Sequence, residues 1–315
     1  MKALWHINEK ESRILETKPI HFSDTTIKAL YSLISVGTER LIANGNVPVE
    51  LFASMAVPYM EGAFRFPVKY GYSLVGKVLE STVLKAGTLV HVMHPHQNIC
   101  PVLANMATTV PANIPAKRAI LVANMETAIN AIWDSGITNE ETVLIAGYGI
   151  IGALLARVCK QLYNCKVYIL EQDETKMNKA VSHGYAISTA HPVLYDVAFN
   201  CTASENALQY CIDNIKNEAA VIELSWYGTK KVSICLGGSF HVLRKKIIAS
   251  QVSAIPVSKQ PEWDYAKRKS FAFEILEDEF YDKLLTNEIA FDESPEFFNL
   301  NRQSSLTGIG YYICY

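Results

Sequence analysis

Between residues 143 and 224 apolar runs of two lengths alternate, and that alternation restricts the fold more than any other feature of the chain. Short β-rich runs fall at Val143–Ala146, Lys166–Leu170, Val193–Asn200 and Ala220–Leu224. Helix-length segments at Ile150–Leu162, Glu174–Ser182 and Glu205–Ile215 separate them. Strands separated by helices cannot close into hairpins, so they run parallel and the helices cover both faces of the sheet. A further helix-length segment, Arg118–Ser135, leads into this region, and the rhythm stops after about Val257. Beyond it the sequence predicts a polar helix over Asp264–Glu277, short elements, and a returning strand in the tail GIGYYICY.

Up to about Pro115 the texture is that of β-structure. Ile27, Ala29, Tyr31 and Leu33 alternate, and Leu74–Glu80 and Thr88–Met93 repeat the pattern. A turn at Val36-Gly37-Thr38 and short helical pieces near Glu39–Ala43 and Glu50–Ala56 lie between them. The expected fold is therefore α/β. A doubly wound parallel-sheet domain, residues 116–257, is inserted into a mostly β domain built from residues 1–115 plus 258–315.

Composition excludes several functions. Lys plus Arg number 29 against 31 for Asp plus Glu, with no basic cluster of the kind a phosphate backbone demands, so no nucleic-acid partner is expected. None of the seven cysteines forms a C-x-x-C pair, and most sit in apolar runs as small hydrophobes. The opening MKALWHINEKES has no apolar signal region, and the apolar stretch Ile150–Val158 is interrupted by Arg157 and far short of a bilayer. A soluble, cytoplasmic protein without a membrane partner is expected.

Gly147-Tyr148-Gly149-Ile150-Ile151-Gly152 fits G-x-G-x-x-G and stands between the run ETVLIA and a helix whose Ile151, Leu154, Leu155 and Val158 share one face. In such a turn the first glycine permits the bend, the second lets backbone approach a diphosphate, and the third lets helix and strand pack closely. Glu171 closes the next strand, 19 residues beyond Gly152. A carboxylate there accepts both adenosine ribose hydroxyls and repels a 2′-phosphate, which favours NAD over NADP. The alternative is a glycine turn kept for packing, with Glu171 a surface charge.

With these motifs in view, the chain resembles the medium-chain dehydrogenase/reductase, or alcohol dehydrogenase-like, superfamily over nearly its whole length. The resemblance is carried by YSLISVGTE, FPVKYGYSLVGKVLE, ETAINAIWD, the glycine turn, DVAFNCTAS and AVIELSWYG. It is greatest to zinc-free members related to bacteriochlorophyllide and threonine dehydrogenase-like proteins. It implies a Rossmann domain inserted into a GroES-like, mostly β catalytic domain, a homodimer, and hydride transfer between nicotinamide and a carbonyl or alcohol of a small molecule.

Zinc-using relatives carry ligands where this chain has Val36, Tyr72 and Glu126, and their four-cysteine lobe is represented by Cys100 alone. One carboxylate cannot build a three-ligand open site, so no zinc is expected. His94 and His96, with Cys100 nearby, suggest another metal site but lack a further partner at ligand spacing.

Without a metal, side chains must stabilise charge on the substrate oxygen. The resemblance points to Thr38 as proton relay and to Tyr72 as hydrogen-bond or proton donor, its pKa lowered by Lys69. It further points to Glu39 as an orienting acid and to Glu126 as a base or water holder. His96 is a candidate acid. The plain alternatives are that Tyr72 fills vacated space and that Glu39 pairs with Arg40 or Lys69. Trp226, beyond a strand end, is expected to wall the nicotinamide pocket, and Cys201 and Thr202 to line the cofactor cleft. His241 reads as a structural histidine and Arg244-Lys245-Lys246 as a solvated face. Two other functions remain: reduction of a conjugated enone or quinone, and a decayed nucleotide-binding sensor or structural protein.

Overall fold

A computed structural model describes residues 1–19, 22–188, 193–303 and 306–315. The chain divides into two compact units. The first comprises Met1–Ala123, Leu276–Leu306 and Gly310–Tyr315, and the second Asn124–Ile275 with Thr307–Ile309.

The chain opens on an antiparallel hairpin, β1 (Lys2–Asn8) and β2 (Glu11–Glu16), that no sequence pattern announced. Then come β3 (Thr25–Ile34), helix α1 (Val36–Ala43), β4 (Leu74–Ser81), β5 (Leu89–Val92), β6 (Ile99–Val102), β7 (Ala107–Thr109), and helices α2 (Ala116–Ala119) and α3 (Val122–Ser135). The second unit continues with β8 (Thr142–Ala146), α4 (Ile150–Tyr163), β9 (Lys166–Leu170), α5 (Glu174–Ser182), β10 (Ala186–Ile187), β11 (Tyr195–Asn200), α6 (Glu205–Asn214), β12 (Ile215–Glu223), α7 (Ser239–Val242), β13 (Lys246–Ala249) and α8 (Tyr265–Ile275). The chain then returns to the first unit with β14 (Leu285–Ala290), α9 (Ser294–Asn301) and β15 (Gly310–Cys314).

In the first unit the sheet order is β14-β15-β3-β4-β5-β7, with β6 also paired to β3. The alternation read in residues 27–33 is real: Ile27, Ala29, Leu74, Val78, Val90, Val92, Cys100 and Val102 form one buried cluster. Nothing in the tail's sequence announces that β15 lies inside the sheet, antiparallel to β3 and parallel to β14.

In the second unit six parallel strands take the order β10-β9-β8-β11-β12-β13. The direction of winding reverses between β8 and β11, the place where doubly wound sheets bind ligands beyond their carboxyl ends. The register aligns Leu170, Ala146, Asn200 and Glu223 across β9, β8, β11 and β12. The residues that close these strands therefore share one edge. Leu144, Ala198, Leu208, Cys211, Ile212 and Val221 pack beneath them. This is the expected α/β architecture, a Rossmann sheet inserted into a GroES-like β domain.

The unit boundaries fall later than 115 and 258. Buried Arg118 in α2 donates to the carboxylate of Asp282 and to the carbonyls of Leu276 and Glu277, which gathers residues 116–119 into the first unit. Trp263 packs on Trp133 and Arg268 pairs with Glu126, which holds that stretch to the second.

Several local expectations change. Val36-Gly37-Thr38 is the first turn of α1, because the Glu39 carboxylate accepts the Ser35 N–H at 2.7 Å and organises the helix start. The segment Arg118–Ser135 breaks between α2 and α3 at Ile120 and Leu121, both fully buried, a break set by packing and not by glycine or proline. The helix near 50–56 shrinks to a single 3-10 turn, Val49–Leu51. β12 begins at Ile215, earlier than expected, and its first residue pairs with Tyr195. Among the described residues no helix is long and apolar enough to cross a membrane.

Candidate functional site

The glycine turn of the second unit joins β8 to α4. Gly147 has φ of +91°, a conformation for glycine, and a Cβ there would meet the Thr202 methyl at 2.8 Å. A Cβ on Gly152 would strike the Gly147 carbonyl oxygen, so the third glycine is fixed by helix-to-strand contact. Gly149 is different. A Cβ built there has nothing within 4 Å among the described residues, although Gly149 is the N-cap residue of α4. The helix starts without a side-chain cap, so its first-turn amides have no internal acceptor. Ile150 and Ile151 follow, and Tyr148 turns inward, fully buried, its phenol 2.8 Å from His183 Nδ1.

Glu171 is more occupied than a free ribose ligand. Its Oε2 accepts the Tyr148 N–H at 2.8 Å, and its Oε1 accepts the N–H groups of Gln172 and Asp173 at 2.8 and 3.0 Å. The acid thus ties the β9 turn to the glycine turn, a positioning role the sequence did not disclose.

Cys201 and Thr202 stand beside that turn. The Cys201 N–H donates to the Ala146 carbonyl, and burial pushes its thiol pKa up. Thr202 donates through Oγ1 to Asn200 Oδ1 at 2.7 Å. The amide of Asn200, a fully buried residue, donates in turn to Glu223 Oε2 at 2.7 Å, and the Tyr227 phenol donates to the same oxygen at 3.1 Å. No motif in the sequence singles out Asn200, Glu223 or Tyr227. The available signal was a polar residue closing each of two apolar strands, YDVAFN and AVIE. Trp226 lies between Ser225 and Tyr227 in the same segment and is partly buried.

In the first unit four of the five expected catalytic residues meet. Gly71, at φ +141°, lets the chain pass against the His96 backbone and delivers Tyr72. The Tyr72 phenol donates to Ser35 Oγ, and the Thr38 hydroxyl reaches the same phenol. Glu39, buried, accepts the Ser35 N–H through one oxygen and sits 2.8 Å from His96 Nε2 through the other. A carboxylate only accepts, so Nε2 carries the hydrogen. Nδ1 of His96 is 2.7 Å from Ser32 Oγ, which is 2.9 Å from the Tyr315 phenol. Ser35, Ser32 and Tyr315 lie far apart in sequence and gave no warning of this chain.

One expectation about this cluster is corrected, and one of the plain alternatives falls. Lys69 does not serve Tyr72: it pairs with Glu61 and donates to Gln97. Burial, with the Glu39 charge adding to it, pushes the Tyr72 phenol up to about 12, against the pull of the Ser35 and Thr38 hydroxyls. Glu39 pairs with His96 rather than with Arg40 or Lys69.

Glu126 belongs to the second unit, where its carboxylate lies 3.3 Å from Arg268 and 3.8 Å from Lys269. Burial raises its pKa and the two cations oppose the rise. His94 stacks on Tyr59 with Nδ1 against the Pro95 carbonyl, and burial lowers its pKa to about 3. Among the described residues no three His, Cys, Asp or Glu side chains converge as metal ligands. His241 is exposed, not packed, and Lys245 is buried within its basic run, donating to the carbonyls of Ile212 and Asp213 that end α6.

No protein-family model and no curated protein matches this sequence. Solved structures do. The chain is similar to 2R,3R-butanediol dehydrogenase from Bacillus subtilis at 16% identity and a TM-score of 0.78, over 100% of this chain and 99% of that one. A short chain alcohol dehydrogenase from Escherichia coli, complexed with NADH, matches at 15% identity and a TM-score of 0.75, with coverage of 100% and 99%. An oxidoreductase from Salmonella enterica, in complex with NADP, matches at 15% and 0.70 over 100% of both chains. From end to end, this chain has the fold of the alcohol dehydrogenase-like proteins.

Proposed function

We propose that the protein is an oxidoreductase that binds a nicotinamide dinucleotide, NAD in preference to NADP, on its second unit. It moves a hydride between that cofactor and a carbonyl or alcohol of a small organic molecule without zinc. The observation that carries the reading is the glycine turn: open space at Gly149, uncapped amides at the start of α4, and a carboxylate, Glu171, closing the neighbouring strand. The turn fits a diphosphate, and Glu171, with two N–H groups on Oε1 and one on Oε2, keeps room on Oε2 for one ribose hydroxyl. The absence of a nearby basic side chain in Gln172-Asp173-Glu174 favours NAD.

The donor set does not fit zinc. Val36 offers no donor atom, the Tyr72 phenol is held protonated, and the Glu126 carboxylate is engaged by Arg268 and Lys269. The bound dinucleotide supplies the hydride chemistry. The protein's own part is to hold the substrate oxygen. In this reading the Tyr72 phenol turns its one hydrogen from Ser35 Oγ to that oxygen, the Thr38 hydroxyl beside it relays the proton, and the buried Glu39–His96 pair holds Ser35 in place.

The experiment is turnover of NADH and NADPH with a panel of aldehydes, ketones and sugars, run beside metal analysis of protein purified without chelator. Consumption of NADH with a carbonyl substrate and no stoichiometric zinc is expected. Activity on enones alone would reassign the reaction, binding without turnover would make the protein a sensor, and one equivalent of zinc would overturn the metal-free reading.

A further inference from the structure

The carboxylate of Glu223 has no part in the chemistry above, yet it is built with care. Asn200 Nδ2 and the Tyr227 phenol both donate to Oε2, and the Ser225 N–H donates to Oε1 at 2.8 Å. Asn200 is saturated in doing so, since its Oδ1 accepts the Thr202 hydroxyl and its amide also reaches the Tyr227 oxygen at 3.2 Å. All three donors to Glu223 are neutral dipoles, and no lysine or arginine pairs with it among the described residues. Its negative charge is thus held in place and left uncompensated.

Its position gives that charge a purpose. The register places the ends of β9, β8, β11 and β12 in one row. With strands about 4.8 Å apart, Glu171 stands about 5 Å to one side of the glycine turn and Glu223 about 10 Å to the other. A dinucleotide whose diphosphate lay on the turn would have its adenosine ribose toward Glu171 and its nicotinamide half toward β11 and β12. Thr202, pressed on Gly147 and bonded to Asn200, links the turn mechanically to the Glu223 carboxylate.

Building on the cofactor reading above, we infer that Glu223 is a redox-state discriminator that favours the cationic pyridinium of the oxidised cofactor over the neutral dihydropyridine. The two forms differ by one positive charge on the ring, and a fixed carboxylate on that side of the sheet attracts only one of them. Contacts to ribose hydroxyls or to the carboxamide would not distinguish them, because those groups are the same in both forms.

The test is calorimetry of the full-length protein with NAD+, NADH and ADP-ribose, for the wild type, Glu223→Gln and Tyr227→Phe. Glu223→Gln is expected to weaken NAD+ about tenfold while NADH and ADP-ribose stay within about twofold. Tyr227→Phe removes a donor but keeps the charge, and is expected to preserve the wild-type NAD+ to NADH ratio. If Glu223→Gln leaves that ratio unchanged, or weakens both forms equally, the inference is wrong even though the protein binds dinucleotides. If the wild type binds none of the three ligands, the cofactor reading itself fails. The ADP-ribose arm also shows whether Glu223→Gln has kept an intact adenosine site, so a misfolded variant is not mistaken for a supporting result.

Discussion

Tyr72 shows how one residue's surroundings decide what it can donate. Its phenol is protonated throughout the neutral and mildly alkaline range, since burial and the Glu39 charge raise its pKa to about 12. It can therefore offer a hydrogen to a nascent oxyanion but cannot act as a base. Tyr72→Phe is expected to lower kcat for carbonyl reduction by roughly 10²-fold or more, leaving NADH affinity unchanged. Steady-state kinetics beside cofactor titration checks this, and intact turnover would remove the residue from the mechanism. His6 and His94 make the opposite case. Both are buried and held neutral with values lowered to about 3. Between the ordinary value of 6.5 and about 3 the unfolded chain binds protons that the folded chain refuses. Their contribution to stability is full above pH 6.5 and is lost as the pH falls, by about 1.4 kcal/mol per pH unit for each histidine. Urea denaturation at neutral and at acid pH should show this slope, and His94→Gln should reduce it by one histidine's share.

At the scale of elements, the turn between β8 and α4 separates packing from binding. Gly152→Ala is expected to destabilise the protein by a few kcal/mol, as overpacking against backbone does, because its methyl would strike the Gly147 carbonyl. Gly149→Ala meets open space and has an ordinary φ of −78°, so its melting temperature should stay close to that of the wild type. Its dinucleotide affinity should drop at least tenfold, because that space is where the diphosphate is expected. Thermal melts paired with NADH titration separate the two glycines. Unchanged affinity in Gly149→Ala would mean that the turn serves packing alone. The same element shows what the sequence could disclose. Period and spacing revealed the strand, the turn and the helix, because glycines and a one-faced apolar stripe are local signals. They could not reveal that Glu171 accepts the Tyr148 N–H, or that Asn200 joins Thr202 to Glu223, because those bonds link strand ends brought together by sheet order. Thr38, Tyr72 and Glu39 were legible by family likeness and His96 as a histidine at a strand end, whereas Ser35, which joins Tyr72 to Glu39, was not. Ser32 and Tyr315 were not, since 283 positions separate them and only the β3–β15 pairing unites them.

For the molecule as a whole, the decisive feature is that β15 lies inside the sheet of the first unit, with β14 on one side and β3 on the other. Deleting residues 310–315 should strip that unit of a paired strand and of the phenol behind Ser32, while the six-stranded sheet keeps all its strands. Hydrogen exchange should then find β8, β9, β11 and β12 protected and β3 and β14 open, and equal loss in both sheets would refute this. The same feature orders events during synthesis. The second unit consists almost wholly of residues 124–275, so its sheet can close while the ribosome is still extending the chain. The first unit begins earlier and is completed later, leaving β3 without its β15 neighbour until residues 310–315 emerge, roughly ten to forty seconds after residue 123 at ordinary elongation rates. The edge of β3 that receives β15, residues 31–34, therefore waits for its neighbour long after β3 and its other partners, β4 and β6, have been translated.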